Sequence, residues 1–295
     1  MLSILIPVYK QRVTPFVTDL YRASVKANIE FEIIVMDDGF EQEFRLNNED
    51  ILVNERIKIF YLDKNIGRSA IRNKLFEKAS FPNLLYLDAD GELESDDFVI
   101  HYKQFLDTQE IVSGGRIYQP EIPKDPNIIL HWKYGLNKES KSALVRNKST
   151  YLSFHSNNFL VPKSIMQAFP FDETIKTYGY EDLLWAKTLF KEGIQIRHID
   201  NPVKHLGLDD SDNYLEKIED SMANLVMLSN TPQALHLPLE SAYNNLQKLG
   251  LSNVFVKIFD YLKLKMISNL KSNSPSLGLL QWYKLGRYAE LKLKK

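Results

Sequence analysis

The chain has 295 residues, 44% of them apolar and 25% charged, with a formal net charge of −1. That composition suits a globular chain long enough for one large α/β domain with an appendage, or for two modest domains. Near-neutrality argues against a general nucleic-acid binder, and the absence of cysteine excludes disulfides, thiolate metal sites and cysteine nucleophiles.

Met1 to Pro7 is apolar from the first residue, has no basic n-region and is too short for a signal peptide or a span. No later stretch reaches about 18 uninterrupted apolar residues, so a cytoplasmic location is expected. Ser3–Ile6 reads as a short strand stopped by Pro7. Thr14 to Ala27 reads as a helix with Phe16, Leu20, Ala23 and Ala27 on one face. Glu32–Met36 is a second strand, running into Asp37-Asp38-Gly39. Ile57–Leu62 is a third, followed by Asn65-Ile66-Gly67 and a helix to about Ala79. Leu84–Leu87 is a fourth, and it drives straight into Asp88-Ala89-Asp90. Strands alternating with helices predict an α/β fold with a doubly wound, mostly parallel sheet.

From Ser113 the pattern loosens, with Gly114-Gly115, Pro120, Pro123 and Pro126 marking loops. Structure is expected again at Tyr151–Val161, as a helix over Tyr180–Glu192 and as a strand over Ile194–Ile199. After Asp210 only helical segments are expected. The corresponding division is 1–112, 113–210 and a helical C-terminal extension, 211–295. From Leu249 to Lys295 nine Lys/Arg face two acids, a local charge of +7, with Phe255, Phe259, Leu262, Met266, Trp282 and Tyr283 interleaved. Such a tail is either a helical hairpin with a solvated basic face or an attachment to an anionic membrane surface or a partner protein.

Four strand ends carry polar groups that a parallel sheet brings to one edge, where open α/β sheets bind ligands. Tyr9 can stack on a base, and Asp37 or Asp38 can accept from a base or ribose hydroxyl. Asp88 and Asp90 offer hard oxygens for Mg²⁺ or Mn²⁺ beside a diphosphate, or else form a solvated turn. An EF-hand does not fit, because glycine falls at loop position 4 (Gly91) and Val99 stands at position 12. The segment after Asn65 opens a helix whose free N–H groups, with Arg68 and Arg72, suit phosphates. It is neither a Walker A loop nor a dinucleotide fingerprint.

Ile6-Pro7-Val8-Tyr9, Val35-Met36-Asp37-Asp38-Gly39, Asn65-x-Gly67 with Ala70-x-Arg72-Asn73, and Leu87-Asp88-Ala89-Asp90 together resemble a family-2 glycosyltransferase of the GT-A fold over roughly the first 110 residues. The resemblance implies that Pro7, Tyr9 and one of Asp37 and Asp38 contact uracil and ribose. Arg72 would reach the base or diphosphate, Asp88 the ribose or a metal-bound water, and Asp90 the metal. Asn65 would lie at the nucleotide. Lys176 to Trp185 is similar to the Gly-aromatic-Glu-Asp block of inverting galactosyl- and N-acetylgalactosaminyltransferase-like chains, which makes Asp182 the general base with Glu181 beside it. His205 would add a metal ligand, and Asn157 and Asn158 would bond the donor sugar. Gly91 and Phe40 depart from the family pattern, and Phe40 leaves open which of Asp37 and Asp38 faces the site.

The expectation is therefore an inverting transferase that uses Mn²⁺ or Mg²⁺ and a UDP-sugar. It would move a hexose or N-acetylhexosamine to a glycan or glycolipid hydroxyl in bacterial surface polysaccharide synthesis, peripheral at the inner membrane face if the tail docks there. The rivals are a nucleotidyltransferase, disfavoured by the glycine-free Pro7–Arg12 segment, and a non-catalytic sugar-nucleotide-binding or membrane-adaptor module.

Overall fold

A computed structural model describes residues 1–39, 48, 50–51 and 54–294. The elements, in chain order, begin with β1 (Leu2–Val8), α1 (Thr14–Lys26), β2 (Phe31–Asp37), β3 (Ile57–Tyr61), α2 (Arg68–Lys78), β4 (Asn83–Leu87) and β5 (Gly91–Leu93). Next come α3 (Phe98–Lys103), β6 (Ile111–Ser113), β7 (Arg116–Ile117), α4 (Ile129–Tyr134), α5 (Ala143–Arg146), β8 (Asn158–Pro162) and α6 (Lys163–Ala168). The last are α7 (Glu181–Lys191), β9 (Ile196–His198), β10 (Val203–His205), α8 (Ser211–Ser229), α9 (Pro238–Lys248), α10 (Ser252–Leu270) and α11 (Leu277–Leu293).

Strands β1, β2 and β4 are apolar on both faces, and almost every residue in them is buried, as strands covered by helices on both sides must be. They form the centre of a sheet ordered β3-β2-β1-β4-β8-β6-β9 among the described residues. The pairings β3·β2, β2·β1 and β1·β4 are parallel. Strand β8 runs antiparallel to both neighbours, so its first residue, Asn158, sits opposite Leu87 at the end of β4. Alternate residues serve the two faces. Ile4 and Ile6 pack with Phe16 and Leu20 of α1, while Leu5 packs with Ile71 and Leu75 of α2 and Trp185 of α7. A small sheet, β5-β10-β7, joins His205 to Gly91 and Val203 to Arg116.

The expected α/β GT-A architecture is observed, including a C-terminal region in which only helices follow Asp210. Two compact units make up the chain. One comprises residues 1–118, 140–176 and 181–207, and the other 119–139, 177–180 and 208–295. In the second, the His131 ring stacks on Tyr214 of α8 with centroids 4.6 Å apart. Glu219 of α8 accepts from Tyr283 Oη (2.6 Å) and from Arg287 on α11. Helices α10 and α11 pack so closely at Gly286 that a Cβ there would stand 2.1 Å from the Phe259 ring. Among the described residues no helix is long and apolar enough to cross a membrane.

Candidate active site

The parallel strands β1, β2 and β4 end at one edge of the sheet, and nearly all the residues singled out from the sequence gather there, within the first unit. Pro7 sits in β1 opposite Met36. Tyr9, just past β1, is 52% exposed, and its ring flanks Gly39, where an added Cβ would lie 3.5 Å away. Asp37 ends β2, buried, with Oδ1 accepting the Gly39 N–H at 2.9 Å. Asp38 accepts from the Ile66 N–H (2.7 Å) and the Gly67 N–H (3.1 Å) with its two oxygens. Burial pushes the Asp38 carboxyl up to about 6, Asp37 adds to the rise, and the two amides resist it. Asp38 is thus a brace that fixes the turn into α2, a turn in which Gly67 adopts φ +89°. Asn65 is exposed in that turn, and Phe40 lies outside the described residues.

Asp88 follows β4, and arginines surround it. Its Oδ1 accepts from Arg72 Nη2 at 2.9 Å, while Arg68 Nη2 and Arg116 Nη2 lie 3.9 and 3.8 Å from Oδ2. Arg72 is almost fully buried, donates to the Arg68 carbonyl and lies 5.8 Å from the Phe171 ring centroid. The sequence expectation placed Asp88 in the metal set as well as at the ribose. In the structure its Oδ1 is taken by Arg72 and its Oδ2 faces Arg68 and Arg116, while Asp90 lies against His205.

Those two stand together. Asp90 Oδ1 is 3.2 Å from His205 Nδ1, and Asp90 O accepts the Leu206 N–H at 2.9 Å. Burial would raise the Asp90 carboxyl, but His205, with Arg116 and Arg68 behind it, outweighs that and holds it well below the usual carboxylate range. Gly207 is required for the approach, because a Cβ there would be 2.3 Å from Asp90 Oδ2. No group of three or more His, Asp or Glu forms a metal cage among the described residues. The Asp90 carboxylate nevertheless fits Mn²⁺ or Mg²⁺, hard ions of which Mg²⁺ commonly takes one or two carboxylates and completes its shell with phosphate oxygens and water, and the His205 imidazole suits the softer Mn²⁺ better than Mg²⁺.

The Glu181-Asp182 block opens α7 after two residues of positive φ, Gly179 (105°) and Tyr180 (71°). Glu181 is buried, and its Oε1 accepts from Arg68 Nε at 2.8 Å. Arg68 therefore reaches two carboxylates, one at the end of β4 and one at the start of α7. Asp182 Oδ2 lies 3.6 Å from His155 Nδ1, and Oδ1 accepts the Leu183 N–H. Burial works to raise the Asp182 carboxyl. His155, the Leu183 amide and Arg68 overcome it, so the group stays below its ordinary value.

The two asparagines separate. Asn157 is buried beside the cluster, its carbonyl accepting the Asp88 N–H. Asn158 is fully buried. It accepts from Tyr102 Oη at 2.6 Å and donates to the carbonyls of Gly115 and Asn201, both at 2.9 Å. That bonding makes Asn158 a strut within the fold, with both amide hydrogens donated to backbone carbonyls. Arg116 and His155 were missed from the sequence. Arg116 lies on a two-residue strand, and His155 stands in a loop with no local pattern, so neither carried a signal.

Residues 3–165 match the family described as Glycosyl transferase family 2. A teichoic acid poly(glycerol phosphate) polymerase of Staphylococcus epidermidis is 25% identical over 154 residues, half of this chain but only a fifth of that protein's length. A mannosyltransferase from Pyrobaculum calidifontis, solved with GDP-Man and Mn²⁺, shares the fold over all of this chain and 86% of its own (TM-score 0.58, 11% identity). Residues 1–349 of S. aureus TarS do so over 99% and 90% (TM-score 0.50, 14% identity). With more than half of its length matched to that family and its GT-A architecture in view, the chain belongs to glycosyl transferase family 2 and is a glycosyltransferase.

Proposed function

We propose that this enzyme transfers a hexose or N-acetylhexosamine, with inversion, from a UDP-sugar to a hydroxyl of a glycan or glycolipid during bacterial surface-polymer synthesis. The observation that carries the reading is Arg68, which ties Asp88 at the donor edge to Glu181 on the helix that bears Asp182. Inversion needs a base on the side of the anomeric carbon opposite the departing diphosphate, and this arrangement keeps the donor-edge carboxylate and the proposed base on separate, mutually anchored elements. The likeness to a teichoic acid polymerase and to a mannosyltransferase solved with GDP-Man and Mn²⁺ supports a nucleotide-sugar donor and a surface-polymer setting.

In this reading Tyr9 stacks on the base, and Asp37 bonds base or ribose. Asp88, steadied by Arg72, faces the ribose. Asp90 and His205 would hold Mn²⁺ or Mg²⁺, which supplies charge neutralisation to the departing diphosphate. Asp182, ionised at neutral pH, takes the proton of the acceptor hydroxyl as that oxygen bonds to the anomeric carbon. The bond from that carbon to the diphosphate breaks on the opposite face, and UDP leaves. General-base help of this kind is worth about 10²–10⁴-fold. Glu181 positions Arg68 and stays out of the proton transfer.

The test is release of nucleotide from a panel of UDP- and GDP-sugars with Mn²⁺ and with chelator. Metal-dependent release of UDP supports the reading. Release of GDP alone contradicts the donor assignment, and release unaffected by chelator contradicts the metal.

A further inference from the structure

Helix α10 is apolar on two opposite sides. One side, with Phe259, Met266 and Leu270 buried, packs in the second unit, where Phe259 lies against Gly286 of α11. The other side carries Val254, Ile258, Tyr261 and Leu264, which are 51–79% exposed. Their spacing of four, three and three residues places them in one stripe along the helix, about half a turn from the buried side. A helix apolar all round is normally buried, and a contiguous exposed apolar stripe marks an interaction surface.

The charges on this side are lysines. Lys257 and Lys265 share the stripe and Lys248 precedes it, all exposed, and none makes an ion pair among the described residues. Lys263 and Lys271, by contrast, are held by Glu290 and Asp212. The acid on the exposed flank of α10 is Asp260. Trp282 of α11, 56% exposed, has its ring 5.8 Å from that of Phe255, on the flank of α10 next to its buried side.

The geometry points to an anionic bilayer surface as the occupant of this face. Helix α10 lies in the headgroup plane, with Val254, Ile258, Tyr261 and Leu264 in the acyl boundary and Lys257 and Lys265 on anionic headgroups. Apolar area with cationic residues is the chemistry that holds a helix at a charged membrane interface. A protein partner or a second copy would satisfy the apolar stripe, but would need acids matched to Lys257 and Lys265, which a uniformly anionic surface supplies without a match. The inference is independent of which sugar the enzyme transfers, because it rests on the second unit alone.

The experiment is co-sedimentation of the full chain with phosphatidylcholine vesicles, with and without phosphatidylglycerol. Expected are binding to the phosphatidylglycerol vesicles, weakening as salt is raised, and little binding to phosphatidylcholine alone. The double variants I258E/L264E and K257E/K265E should each lower partitioning at least about tenfold, with unchanged circular dichroism and nucleotide-sugar turnover in solution. Equal binding to both vesicle types, or wild-type binding by both double variants, overturns the proposal. So does a vesicle-inert protein whose copies associate in solution through this face and separate in I258E/L264E. Should the glutamate pair fail to fold, K257E/K265E alone decides, since exchanging exposed lysines leaves the packed side of α10 intact.

Discussion

At the scale of single residues, the site is a set of carboxylates sorted by their arginine and histidine neighbours. Asp88 meets three guanidinium groups, Asp90 meets His205, Glu181 meets Arg68, and Asp182 meets His155. A base works only while ionised, and burial alone would push the Asp182 carboxyl towards its neutral form. His155 is the largest of the groups that reverse this. Replacing it with Gln removes the largest of the groups that oppose burial, so the Asp182 pKa rises. The acid limb of the pH profile of kcat/KM should then move to higher pH, with nucleotide binding little changed. An unmoved limb would show that His155 has no hold on the base.

At the scale of elements, parallel strands need cross-links at their polar ends as well as apolar faces. Glu32 on β2 provides one. Buried, it accepts from Ser3 Oγ of β1 (2.7 Å), Lys58 Nζ of β3 (2.7 Å) and the Ser80 N–H after α2 (2.6 Å). Burial raises its carboxyl, but Lys58, Ser80 and Ser3 together bring it below the ordinary value. A carboxyl depressed in the fold adds stability that is fully present above its unfolded value of about 4.3 and lost as pH falls through the folded one. Glu32→Gln should cost about 1–3 kcal/mol at pH 7. The difference from wild type should shrink on acidification, which urea unfolding at pH 7 and below pH 4 would measure.

The elements that carry this edge were legible because β1, β2 and β4 are apolar runs that end at Val8, Asp37 and Leu87, one residue past the Pro7 stop expected for β1. What was not legible was the small sheet. Strands β5, β7 and β10 are two or three residues long, too short to show a period of two. Yet they deliver Arg116 to Asp88 and His205 to Asp90. The Asp-x-Asp motif was therefore visible, while the division of its two carboxylates between arginines and histidine was not.

At the scale of the whole molecule, the family match ends at residue 165, whereas Glu181, Asp182 and His205 lie beyond it. The roles proposed for them rest on the resemblance of the Lys176–Trp185 block and on their position beside Arg68, His155 and Asp90. Pairings such as His155 with Asp182 and Arg68 with Glu181 join residues 27 and 113 positions apart, and no local pattern foretells them. The helical character beyond Asp210 was readable from composition. The outward stripe of α10 was not, since its apolar residues look like core until the buried side is known.

The central claim is that Asp182 does the proton transfer while the β1/β2/β4 edge binds the donor nucleotide. Asp182→Asn tests it most directly, read as turnover and UDP affinity in the same preparation. Turnover should fall about 10²–10⁴-fold, with UDP affinity in the presence of Mn²⁺ within about twofold of wild type, a difference under about 0.5 kcal/mol. Turnover near the wild-type rate, or UDP binding lost along with activity, would contradict the claim.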